Sequence, residues 1–196
     1  MKKASKLFAV ICVAVALLSV LCACLKKDVY QNLNELVAKQ RNNAKLTVTT
    51  SVGQETLVSV YTLTETSQGT KVDYSIQTLS QIDLQNPNAE QPRVQTSKGS
   101  YVVNNGKIIS QNGENCDVAL ATVSAAGLRF EESFFDEVTA EEGSFSAKVT
   151  DASGFIGVTD AENMTVKVTY SSEYVSQIIV SYNTTDASVT IRYDFN

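Results

Sequence analysis

Alternation of apolar and polar residues with a period of two dominates the end of this chain, and it narrows the possible folds more than any other feature. In "SVTIRYDF", Val189, Ile191, Tyr193 and Phe195 point one way, while Thr190, Arg192 and Asp194 point the other. Val166, Val168 and Tyr170 follow the same period, as do Ile178, Val180 and Tyr182. Each set predicts a strand with one face against a core and the other toward water. Earlier segments carry the same β-branched and aromatic bias: "KLTVTTS", "TLVSVYTLTE" and "KVDYSIQTL", with turns expected in "SVGQET" and "TSQGT". Asn105-Gly106, between two apolar runs, predicts a hairpin. "NTTD" predicts the turn between the last two strands.

Helical signals flank and interrupt the strands. Val29, Leu33, Leu36 and Val37 recur at helical spacing, with Asp28 placed to cap them. In the middle, "CDVALATVSAAG" reads as a short helix closed by Gly127, and "RFEESFFDEV" sets Phe130, Phe134 and Val138 on one helical face. "SQIDLQNPNAEQPRVQTSKG" holds both prolines, Pro87 and Pro92, and predicts a loop. A parallel α/β fold needs helices alternating with strands throughout, and this order lacks them. The prediction is an α+β fold: a twisted antiparallel β-sheet with an N-terminal helix and a central helical insert packed on one face.

Composition closes several functional classes. Apolar residues make up 43% of the 196-residue chain, enough to build one domain's core. The formal net charge is -5 and no cluster of Lys and Arg occurs, so nucleic acid is not an expected partner. Histidine is absent, which removes the commonest general base and the commonest transition-metal ligand together. No "GxSxG" elbow or glycine-rich phosphate loop appears. The acids Glu131, Glu132, Asp136, Glu137, Glu141 and Glu142 lack the alternation and central Gly of a calcium loop and read as a solvated face. Cys116 stands where a helix is expected to begin, but without a histidine beside it the ordinary role is a small buried apolar residue. Catalytic residues, cofactors and metal ligands are therefore all expected to be none, and the protein is expected not to be an enzyme.

The amino terminus carries the most specific motif. Lys2, Lys3 and Lys6 precede the apolar run Leu7–Leu21, which is shorter than the roughly 20 residues that span a bilayer as a helix. A positive flank, an apolar middle and a small-residue exit read as an export signal. The exit "LCAC" resembles the lipobox of bacterial lipoprotein precursors, with Leu21, Cys22, Ala23 and Cys24 in its four places. The resemblance implies a diacylglyceryl thioether on Cys24 and cleavage after Ala23. Cys22 fits less well as the modified residue, because large Leu21 would precede it and Ser19 would stand where the apolar residue belongs. A disulfide between Cys22 and Cys24 would close a tiny, strained loop. The expected organisation is a signal peptide over 1–23, a short tether over 24–28 bearing the lipidated cysteine, and one domain over 29–196. The expected location is the cell envelope, anchored to the extracytoplasmic face of the membrane. Lys26 and Lys27 are placed either to meet anionic headgroups or to remain solvated charges.

The order of elements in the mature chain, with the closing hairpin "VSQIIVSYNTTDASVTIRYDF", resembles that of LolA/LppX-like lipoprotein carriers. That likeness implies a half-open, barrel-like meander with an apolar groove between sheet and helices. The residues that would line it are Val166, Val168, Tyr170, Ile178, Val180, Tyr182, Val189, Ile191 and Tyr193. Filling an ordinary core is the other fate open to the same nine side chains. The functional expectation is a lipid or other apolar ligand held in the groove. Its alternative is a structural or adaptor module of the envelope that docks a protein partner through its surface. Intact-mass analysis of the membrane fraction is expected to show a chain starting at acylated Cys24, and an unmodified start at another residue would refute the lipobox assignment.

Overall fold

The computed structural model describes residues 29–40, 44–80, 94–105, 107–113 and 127–195. The expected signal peptide, Cys24, the Asp28 cap, the proline-bearing segment 81–93 and most of the expected helix at 116–127 lie outside the described residues. Residues 29–40 form helix α1. Ten strands follow: β1 (Ala44–Val52), β2 (Glu55–Thr66), β3 (Gly69–Ser80), β4 (Val94–Asn104), β5 (Lys107–Gly113), β6 (Phe135–Glu141), β7 (Ser144–Val149), β8 (Glu162–Tyr170), β9 (Val175–Asn183) and β10 (Ser188–Phe195). A second short helix, α2 (Ala152–Ile156), links β7 to β8.

All ten strands form one open antiparallel sheet in the order β5-β4-β3-β2-β1-β10-β9-β8-β7-β6. The fold is thus α+β, as the alternation predicts. Two five-stranded meanders run outward from the centre, and β1 joins them by pairing with β10 from Ala44↔Phe195 to Ser51↔Ser188. The anticipated turns are in place. Val52 pairs with Glu55 across Gly53-Gln54, and Thr66 with Gly69 across Ser67-Gln68. Asn104 pairs with Lys107 at the Asn105 hairpin, where Asn105 adopts the left-handed conformation (φ 49°) that a tight turn demands. Thr184 N–H donates to the Ala187 carbonyl in the β9–β10 turn.

Register lays the inner face out as rows that cross the sheet. The central row runs Phe145, Val168, Ile178, Tyr193, Leu46, Tyr61, Tyr74 and Gly99, each opposite the next. Every side chain in that row before Gly99 is buried. A parallel row of Phe195, Ala44, Leu63, Val72 and Tyr101 is equally closed to water. Helix α1 packs on this face with Val29, Tyr30, Leu33, Leu36 and Val37. Two amide side chains fix it in place. The Asn34 amide donates to the Phe130 carbonyl and accepts from Phe130 N–H, at 2.8 and 2.9 Å. Val175 N–H donates to Gln40 Oε1 at 2.6 Å. These three bonds satisfy part-buried backbone groups, which would be costly if left unmade.

One expectation is corrected. Residues 129–138 do not form a helix: a 3₁₀ turn (Glu132–Phe134) leads directly into β6. The physical reason is a bulge between Asp136 and Thr139, where Glu137 takes φ 50°. It turns Phe135 and Val138, three residues apart, to the same face and so imitates helical spacing. Phe130 enters the core from an extended segment instead, and its ring meets those of Phe135, Phe145 and Phe155 at 5.5–6.0 Å. Packing against this cluster, with about 0.5–1.5 kcal/mol per aromatic pair beyond burial, overrides the local periodicity.

Gly99 ends the central row for a steric reason. A Cβ there would lie 2.6 Å from the Tyr74 hydroxyl and 2.5 Å from the Asn112 carbonyl oxygen. The missing side chain is what lets the Tyr74 ring lie across β4. Gly99→Ala is expected to lower unfolding stability by about 1–3 kcal/mol through overpacking, measured by urea denaturation; a variant as stable as the parent would disprove the contact.

Candidate functional site

The structure brings all nine residues expected to line the groove onto the inner face of β8, β9 and β10, as a contiguous patch. Val166, Val168, Ile178, Val180, Val189 and Tyr193 are buried, whereas Tyr170, Tyr182 and Ile191 are only partly covered and pack against the core's margin. Tyr182 and Ile191 are the ones with equivalent neighbours on the other meander. The row Val180, Ile191, Val48, Ser59 and Ile76 and the row Tyr182, Val189, Thr50, Leu57 and Thr78 continue across β10, β1, β2 and β3. Val48, Thr50, Ile76 and Thr78 are half-buried, Leu57 is exposed and Ser59 is buried. This end of the inner face is therefore a strip of apolar side chains with hydroxyls set among them. It is continuous with the core but less covered than the rows beneath α1.

The reason lies in the reach of α1. Twelve helical residues extend about 18 Å, whereas ten strands at about 4.8 Å spacing make a sheet more than twice as wide. Ring contacts place the helix on one half of the face: Tyr30 stacks on Phe135 at 5.9 Å and meets Phe145 edge-on at 5.8 Å. At its other end Gln40 holds Val175. Val48, Leu57 and Ile76 belong to the other meander. The sequence reading missed them, because their membership depends on the β1–β10 pairing, which joins segments far apart in the chain.

The outer face is more polar, with Val58, Val60, Leu79 and Ile179 set among hydroxyl and charged side chains. There the Arg192 guanidinium meets Asp194 at 2.9 Å, and Gln177 donates to the same carboxylate at 2.9 Å. Burial works against ionisation of Asp194, but these hydrogen bonds outweigh it and hold the carboxyl below its ordinary range. A cavity of about 290 Å3 on β6, β7 and β8 is lined by Glu137, Ser146, Lys148, Asn163, Thr165 and Lys167 among others, and Lys148 approaches Glu137 at 3.9 Å. The acids Glu131, Glu132, Asp136, Glu137, Glu141 and Glu142 are all exposed. Among the described residues no three carboxylate or thiol groups converge as a metal site. No family model matches this chain, and no curated protein matches its sequence at a significant level.

Burial favours the neutral form of the tyrosines on the inner face. Burial pushes the Tyr193 phenol up to about 12, and the adjacent Tyr182 adds to the shift. Burial also raises Tyr170 and Tyr182, the latter with help from Asp160. For Tyr193 the folded chain keeps its proton longer than the unfolded one, which releases it near 10.0. Its contribution to stability is complete below pH 10 and is lost as pH climbs toward 12, at about 1.4 kcal/mol per pH unit. Tyr193→Phe is expected to flatten the fall in urea-denaturation stability across that window; an unchanged slope would show that the phenol is not buried.

Proposed function

We propose that the protein is a lipid-anchored lipoprotein on the extracytoplasmic side of the membrane, not an enzyme, and that it holds an apolar ligand on the inner face of its sheet. The observation that carries the ligand is the half-covered strip of Tyr182, Ile191, Val48, Ile76 and Leu57 beyond the reach of α1. Apolar surface next to a closed core gains from burial at about 25 cal/mol per Å2, whatever molecule supplies the cover. Thr50, Ser59 and Thr78 add hydroxyls that can orient one polar end of such a ligand. A single acyl chain laid across these rows meets the requirement. The anchor rests on the resemblance of Leu21 to Cys24 to a lipobox and on the apolar run before it.

A second reading, a module that docks a protein partner, draws on a different observation. Strand β5 is an edge of the described sheet and exposes Ile108 and Ile109 at the bulge in its pairing with β4. An apolar edge of this kind is suited to strand addition.

Binding of a dansylated fatty acid by the mature chain, with Cys24→Ser to remove the anchor, tests the first reading. Uptake is expected, and Ile191→Glu is expected to weaken it at least tenfold, about 1.4 kcal/mol. Arg192→Gln, on the opposite face, is expected to leave it unchanged. No uptake by a folded chain, or equal uptake by the Ile191 variant, would dismiss the ligand strip.

A further inference from the structure

The tether and the direction of α1 together fix which end of the sheet meets the bilayer. Val29 opens the described helix five residues after Cys24, and an extended chain of that length spans at most about 17 Å. Helix α1 crosses the inner face obliquely. Its first turn lies by Phe135, which pairs with Val149 near the end of β7 where α2 begins. Its last turn lies by Val175, just after the β8–β9 turn at the opposite end. The helix therefore points its N-terminus toward the end of the sheet that carries the β1–β2 turn, α2 and the β9–β10 turn. A lipid anchor on Cys24, five residues before Val29, would be held near that end. Strands β2 and β3, of twelve residues each, are about 40 Å long, so their opposite tips stand well beyond the tether.

That same end carries exposed apolar side chains. Val52 is 49% exposed beside the β1–β2 turn, Leu57 39% and Leu79 37%. Leu79 is opposite Thr56 on the outer face, while Val52 and Leu57 belong to the inner one, so the three surround the tip of β1, β2 and β3. We propose that this tip is a membrane-contacting surface, with Val52, Leu57 and Leu79 entering the boundary between headgroups and acyl chains. The occupant is the bilayer that holds the anchor, and the half-covered strip opens toward it. Apolar side chains entering that boundary add to the hold of the acyl chains on Cys24. The inference rests on the lipid-anchor reading above.

The test uses the full chain, acylated in a bacterial host and reconstituted into phosphatidylcholine vesicles with brominated acyl chains. The protein has no tryptophan, so one introduced indole reports alone. Val52→Trp and Leu79→Trp place it at the proposed contact, and Tyr174→Trp at the far end, where Tyr174 is 51% exposed in the β8–β9 turn. Vesicle flotation reads the anchor and quenching reads the orientation. Flotation with strong quenching of the first two reporters and none of the third is the expected result. Flotation with quenching confined to Tyr174→Trp, or with none at any site, would overturn the contact while leaving the anchor intact. A chain that fails to float would defeat the anchor reading, and the contact with it.

Discussion

The pairing of β1 with β10 is the constraint on which the rest of this molecule depends. Each meander could form from neighbouring segments, because every other ladder joins strands consecutive in the chain. Only Ala44–Ser51 against Ser188–Phe195 is distant in sequence, and it turns two five-stranded sheets into one. It also makes the central row continuous from Phe145 to Tyr74. The entropy of closing so long a loop must be met before those contacts form, so topology of this kind folds more slowly than a helical bundle of equal size. The strip on the inner face exists because of the same join, since Ile191 and Val48 are partners across it.

Helix α1 has two roles at once. It covers the aromatic half of the sheet, where Tyr30, Phe130, Phe135, Phe145 and Phe155 interlock in stacked and edge-on pairs. It also begins five residues after Cys24, so under the proposed lipid anchor the element that closes the core would be the one nearest the membrane. Asn34 and Gln40 tie it to segments that are far away in sequence and irregular in backbone. A helix held by both apolar and amide contacts resists sliding along the sheet, and its direction therefore carries information about how the domain stands.

Much of this architecture was legible in the residues, for a local reason. Wherever alternation is unbroken, as in Val189 to Phe195, or a turn dipeptide interrupts it, as at Asn105, the strand and its facing follow from the pleat alone. Legibility failed where tertiary contacts rewrote the period. Phe130, Phe134 and Val138 keep helical spacing, yet the Glu137 bulge and the aromatic cluster make the segment a turn and a strand. Helix α2 escaped notice because it is a single turn, marked only by Asp151 at its start, whose carboxylate accepts from Gly154 N–H, and Gly157 at its end. On β2 the apolar residues occupy both faces, with Val58 and Val60 outward and polar Ser59 inward, so no pattern there announced an inner strip. The nine residues expected beneath the last strands do share one face, but the less covered part of it extends onto β1, β2 and β3, which only the register reveals.

The bulge at Glu137 has a consequence for how copies of this protein can meet. Beta sheets polymerise without limit only when both rims accept a new strand. On the β6 rim, a residue wound into the left-handed region breaks the ladder, and Asp136, Glu137 and Glu141 line it with negative charge. Among the described residues the β6 rim is thereby blunted, so strand-mediated association through the β5 edge would end in a two-fold pair instead of a head-to-tail fibre.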